Sequence, residues 1–338
     1  MNKLHKQLFL LCISIVFFSC ENEVILDFDD DKQQMAIFSL FSPNDIFTDD
    51  HNFIVEISRT QSILDNSDFI YINDARVTIT SESSSIEPEN QDEDPIREVI
   101  SEEAISYLIK DTERIVYRTD NTIPSDGYTY KLQVDHPDYP TVSAESYVPT
   151  VTEIENLELS DFKTSKENQV EGYTRYFSQA SFEVDNNFEM NDQYHLLVYL
   201  VYPSSLFNDG KRRLIPITIE EDVLMEQLGA DATIVNTNSS TVFFGAHFDN
   251  STFKEESQKL NFDIAFSLHE DEYPIAIIIE LRSVSEQYHN YFVEGYRLSQ
   301  AGNNQFFSSP NNVSNNIDGG FGIFAGYSVD NVEVPFRK

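Results

Sequence analysis

Tyr128-Thr129-Tyr130-Lys131-Leu132-Gln133-Val134 puts an apolar side chain at every second position and a polar one between. A period of two belongs to a strand with one face in a core and the other in water. Pro124-Ser125-Asp126-Gly127 supplies a turn before it, and His136-Pro137-Asp138-Tyr139-Pro140 a turn after it. Residues 142–148 then read as the closing strand of this region. Working upstream, 35–41, 53–59 and 115–118 are further strand candidates, and Ile70-Tyr71-Ile72 leads into another at 75–80. Strands punctuated by short turns, with no long helix, predict an antiparallel sandwich of immunoglobulin-like style over residues 33–149. Residues 81–95 hold Ser, Glu, Asp, Asn and Pro with almost nothing apolar, which predicts a solvated loop. The stretch 100–108 fits either a loop or a helical turn.

Pro149 is the natural junction, and residues 150–338 predict a second, larger β-sandwich carrying two short helices. Its strand candidates are 151–159, 174–184, 194–202, 242–245, 260–266 and 275–281. The run Tyr194-His195-Leu196-Leu197-Val198-Tyr199-Leu200-Val201-Tyr202 is nearly continuous in apolar character, as expected of a strand buried on both faces. Thr218 with Glu221, and Ser283 with Glu286, have the spacing of capping boxes, with Gly229 and Gly302 placed to end the two helices. On the second helix Val284, Tyr288, Tyr291, Phe292 and Leu298 fall largely on one side, so that face is expected to pack on the sheet.

The chain starts differently. Lys3 and Lys6 precede the apolar run 8–18, Ser19 and then Cys20, the order of a secretory signal and too short for a permanent membrane span. Cys20 resembles the acceptor of a bacterial lipobox, although Phe17 stands where Leu is usual; the plainer alternative is a secreted protein with an incidental cysteine. On this reading residues 1–19 are the lipoprotein signal peptide, Cys20 carries the lipid, and 20–32 form an acidic tether with Asp27, Asp29, Asp30 and Asp31. Cys12 leaves with the signal, so no disulfide is available and each sandwich must be held by its own apolar core. Several acyl chains, at about 0.8 kcal/mol for each buried methylene, would anchor the body to a membrane. The formal charge of −36 repels phosphate backbones, which argues against nucleic acid as a partner.

Signs of catalysis are weak. The chain has no Gly-x-Ser-x-Gly elbow, phosphate loop or dinucleotide fingerprint, and no His-Glu-x-x-His pair. His195 lies in an apolar run and reads as a core histidine with satisfied partners. His269-Glu270-Asp271-Glu272 holds metal-ligand types, yet it reads equally as a polar turn before Pro274. Paired carboxylates for glycan hydrolysis carry no information among 58 acidic residues, and the absence of Trp weakens a sugar-binding reading. The expectation is therefore a protein that is not an enzyme and needs no cofactor or metal.

The last informative stretch is Asn315-Asn316-Ile317-Asp318-Gly319-Gly320-Phe321-Gly322-Ile323-Phe324-Ala325-Gly326-Tyr327. Glycines alternating with Phe and Ile suit a closing strand approached by another backbone. The same residues, with Asn316, Gly319, Gly320, Phe321, Gly322 and Phe324 foremost, are the candidate partner surface. This run, the helix with Tyr288 and Tyr291, and the stretch 127–149 resemble an uncharacterised Bacteroidota outer-membrane lipoprotein family, domain of unknown function 4249. The resemblance covers nearly all of the chain after Cys20. It implies a place on the outer membrane and an accessory role, since such proteins are often encoded beside TonB-dependent receptors. It transfers no catalytic residues. The acidic run behind Cys20 also resembles the export signal of Bacteroidota surface lipoproteins, so outward exposure is expected. The long loop at 81–95 departs from the family pattern. Ligand capture with a TonB-dependent receptor is thus the leading expectation, a surface adhesin or envelope structural protein the alternative, and a glycan hydrolase the third.

Overall fold

The computed structural model describes residues 33–45, 53–60, 70–82, 96–100, 114–118, 123–165, 172–185, 192–206, 212–229, 232–235, 244–301 and 313–337. The signal segment, Cys20, the acidic tether, most of the loop 81–95 and the segment 302–312 lie outside the described residues.

Gln34–Lys338 forms one compact unit. In its first region two sheets face each other. β1 (Met35–Phe41), β2 (Ile54–Arg59), β5 (Arg114–Arg118) and β4 (Ile96–Ile100) lie in that order in one sheet. The opposite sheet is β3 (Arg76–Glu82), β6 (Thr129–His136) and β7 (Tyr139–Tyr147). Alternation fixes which side chains meet between them: Met35, Ile37 and Phe41 of β1 pack with Val55 and Ile57 of β2 and with Tyr130, Leu132 and Val134 of β6. These are the apolar positions of the period-two runs in the sequence.

The second region stacks a five-stranded sheet on the other half of the large sheet. The five strands are β13 (Thr218–Glu220), β16 (Ser257–His269), β10 (Tyr173–Asp185), β8 (Glu155–Leu159) and β9 (Lys163–Ser165). Facing them are β14 (Thr233–Val235), β15 (Gly245–Asp249), β11 (Gln193–Tyr202), β17 (Ala276–Val284) and β12 (Arg213–Pro216). Between the sheets lies the largest core, with Leu196, Val198, Ile277, Ile279, Phe182, Phe262 and Ile264. β17 is buried along its whole length and β11 at every residue but the first, as their continuous apolar runs predict.

One strand joins the two regions. β18 (Phe321–Pro335) pairs in parallel with β1 through Gly326 and antiparallel with β17 from Tyr327 onward, on its opposite edge. A ten-stranded sheet therefore runs across both sides of Pro149 while each side keeps its own core.

The two helices form where the sequence indicates, but not from the expected caps. α1 (Glu221–Leu228) begins after Glu220, because Thr218 is already a strand residue paired with Ala265. Gly229 does end it, at a left-handed φ of 78°. α2 (Glu286–Ala301) is capped by Ser285, whose hydroxyl accepts the Tyr288 amide at 3.4 Å, while Ser283 sits inside β17 and donates to Thr152. Tyr288 and Phe292 face the sheet as expected. Leu298 does not: at 100° per residue it lies about 80° from Tyr288 around the helix, and it is 36% exposed.

α1 also protects an edge. Gln227 Nε2 donates to Asn261 O at 2.7 Å and its Oε1 accepts the Asn261 amide at 2.9 Å, so the side chain stands in for a neighbouring strand. Gln227→Ala is expected to cost about 1–2 kcal/mol in a denaturant titration, and to speed exchange of the Asn261 amide above that of its neighbours on β16.

Candidate functional site

Two features stand out once the fold is in place, the closing strand and a polar cluster buried under α2. In the closing strand the glycines are explained by close backbone approach. Gly322 has a φ of 114°, outside the range of ordinary side chains, and a Cβ there would overlap the carbonyl oxygen of Ile37, its partner on β1. A Cβ at Gly326 would likewise overlap Tyr147 O, though less severely. Gly319 and Gly320 pass beside Thr141 O and Met35 O.

Asn316 is committed inside the chain. Its Oδ1 accepts the Phe324 amide at 3.0 Å, its Nδ2 donates to Phe324 O at 2.7 Å, and Nδ2 also reaches Glu145 O of β7 at 3.3 Å. The amide thereby acts as a one-residue strand on the edge of β18 that β17 has not yet reached. Asn44, just past the end of β1, does the same on the other edge: it accepts the Val329 amide at 2.9 Å and donates to Val329 O. Ser285 N continues the line of β17 by donating to Gly326 O at 3.1 Å. The handover from β1 to β17 therefore leaves these backbone groups satisfied.

Of the six candidate partner residues, Phe324 is fully buried in the first core and the three glycines and Asn316 pack against the chain's own backbone. Phe321 is the outward one, 50% exposed. On the same sheet face, one strand over, Phe38 is 38% exposed and meets the ring of Tyr291 edge-on at 6.4 Å. The face that α2 covers at Ile323, Ala325 and Tyr327 thus continues past the helix as exposed aromatic surface.

The polar cluster occupies that same covered face. Glu280, 0% exposed, accepts from Arg282 Nε at 2.6 Å, and Arg282 Nη1 donates to Tyr288 Oη at 3.1 Å. The guanidinium lies 4.7 Å from the Tyr327 ring centre, and the Tyr327 hydroxyl donates to Asp45 Oδ2. Burial pushes the Glu280 carboxyl up, with Arg282 pulling it back. Burial works against the charge on Arg282, but the Glu280 carboxylate beside it more than offsets that cost, so the guanidinium stays charged. His195, 4% exposed, meets Tyr288 Oη at 3.0 Å and Phe244 O at 2.9 Å, the satisfied core histidine that its setting in the sequence indicates.

The sequence singles out His195 in its apolar run, Tyr288 on its helix face and Tyr327 in the closing stretch, but gives no role to Glu280, Arg282 or Asp45. Glu280 and Arg282 carry a signal that is visible afterwards: two charges of opposite sign, two residues apart, inside a wholly apolar run. Two residues apart on a strand is the same face. His269 is the last residue of β16, where its Nδ1 accepts the Asp271 amide at 3.3 Å and its backbone amide donates to Glu272, the start of a polar turn. Among the described residues there is no group of three or more His, Cys, Asp or Glu placed to hold a metal ion. Among them, too, no helix is long and apolar enough to cross a membrane.

Gly322→Ala is expected to destabilise the fold by about 2–4 kcal/mol, from forced overlap and a disfavoured backbone angle, whereas Phe321→Ala should stay within about 1 kcal/mol; thermal or urea unfolding of both separates a structural glycine from a surface aromatic. Arg282→Met should cost about 3–5 kcal/mol by stranding the Glu280 carboxylate, and Glu280→Gln in the same background should recover part of that loss.

None of the curated proteins compared with the chain matches it. From residue 21 to residue 333 the chain matches the family described as Domain of unknown function (DUF4249). With almost its whole length within that match, this chain belongs to the DUF4249 family.

Proposed function

We propose that the chain is a lipid-anchored outer-membrane protein without catalytic activity, tethered through Cys20 and facing outward, that docks on a TonB-dependent receptor and assists ligand capture. The observation that carries the reading is the pair Phe38 and Phe321. They are large aromatic side chains, 38% and 50% exposed, on neighbouring strands of a sheet face whose residues Ile323, Ala325 and Tyr327 are buried under α2. Exposed aromatics beside a rigid, covered face are what a recognition surface requires. The buried ionisable groups under α2 point the same way, since their near-complete burial leaves them out of reach of a substrate. The signal-like start, the acidic run behind Cys20 and the resemblance to outer-membrane lipoproteins support the proposed location and class of partner.

Co-purification from detergent-solubilised outer membranes tests the proposal. The tagged chain should return with a β-barrel receptor, and a Phe38→Ser/Phe321→Ser variant that remains folded should lose it by at least tenfold. Recovery of the wild-type chain with no barrel protein would overturn the reading. Separately, Cys20→Ser should move the protein from the membrane pellet to the soluble fraction.

A further inference from the structure

Three histidines from three elements meet beneath α2. His247 of β15 stands opposite His195 of β11, and His195 stands opposite Arg282 of β17, so these two histidines and the arginine make one row across neighbouring strands. The two imidazole rings are stacked, 3.8 Å between centres and 18° between planes. His247 is 1% exposed, and neither of its ring nitrogens has a hydrogen-bond partner among the described residues. Phe292 of α2 lies parallel to it at 5.9 Å. His289, also on α2, meets it edge-on at 6.1 Å, and its own buried Nδ1 is likewise without a partner.

Among the described residues no acidic side chain is hydrogen-bonded to either stacked ring. Glu280 is engaged by Arg282, and Asp45 by the Tyr327 hydroxyl. Tyr199, Tyr288 and Tyr327 are buried and neutral, burial holding each hydroxyl above its ordinary value. On α2, His289 feels Asp249 as an attraction and Arg297 as a repulsion.

We propose that this row is an acid-sensitive latch, holding α2 against the sheet while the histidines are neutral and releasing it when they gain protons. A proton on His247 in the docked state would create a cation with neither water nor acceptor, in line with Arg282 and separated from it by a second ring that also protonates. Cross-strand neighbours stand about 5 Å apart, so like charges there repel strongly. When α2 lifts, water reaches the rings and each takes a proton near its ordinary value of about 6.5. In the docked state burial first, then the neighbouring histidines and Arg282, hold His195 and His247 well below that, and burial lowers His289 as well.

Between the docked and free values the open form binds more protons, so acid favours opening. Glu280 acts in the opposite sense, because its raised value lets the docked form take a proton first. That is one group against three. His195 and His247 together should raise the open-to-docked ratio about 100-fold between pH 7.5 and pH 5.5, tenfold for each ring.

Hydrogen exchange of the full-length chain at these two pH values, corrected for intrinsic exchange rates, tests the latch. The amides of α2 should lose about 100-fold in protection relative to those of β10 and β16, whose apolar core contains none of these rings. In His247→Phe, which keeps the stack without the titration, the loss should fall to about tenfold. Unchanged protection of α2, or loss in step with β10 and β16, would overturn the proposal, as would an undiminished pH response in the variant. Should the variant fail to fold, ring titration of the wild-type chain by NMR decides: rings still neutral at pH 5.5 while α2 is docked support the latch, and ordinary titration near pH 6.5 with α2 still protected contradicts it.

Discussion

β18 is one continuous strand with two sets of neighbours, and the rest of the architecture depends on how its backbone is satisfied at the change. Up to Gly326 its hydrogen bonds serve β1; from Tyr327 they serve β17 on the other edge. A strand that switches partners in mid-course would ordinarily strand N–H and C=O groups on both edges, each costing about 1–3 kcal/mol if buried. Asn316 and Asn44 prevent that, each presenting a side-chain amide to one residue as a missing strand would. The glycines have the matching role of letting neighbouring backbones come close enough. The Gly-rich stretch is thus first of all the joint between two cores.

The same joint explains where charge can be buried. The face of the large sheet that α2 covers carries Glu280, Arg282, His195 and His247 side by side on adjacent strands. A buried ion pair contributes little net stability, because desolvation offsets most of the attraction. Its consequence is sharp dependence on geometry: Arg282 meets Glu280, Tyr288 and the Tyr327 ring, so the helix, β17 and β18 must be in register together. Outside this sealed zone the same sheet face ends in the exposed aromatic side chains Phe38 and Phe321.

Much of the fold was legible in the sequence because its strands are either strictly alternating or wholly apolar. β6 and β11 are examples of each. Short edge strands such as β12, β13 and β14 were not legible, since three or four residues cannot display a period. Nor was the second half of β18, whose polar Asp330 and Asn331 interrupt the apolar pattern. Both expected capping boxes failed for one reason: Thr218 and Ser283 belong to strands, whose ladder bonds already hold their backbone, and the helices begin only where pairing stops. The closing motif could be recognised as a place of close approach, but not divided into buried Phe324 and exposed Phe321 without knowing which face α2 covers. The histidine row could not be read at all, because His195, His247 and Arg282 are brought together only by strand order.

Unfolding followed from each core separately tests the shared strand most directly. The chain contains no Trp, so Tyr128→Trp reports on the first core and Tyr176→Trp on the second. If β18 binds the two sandwiches into one cooperative body, both probes will give the same urea midpoint and slope. Two distinct midpoints, with one sandwich standing after the other has melted, would contradict the account.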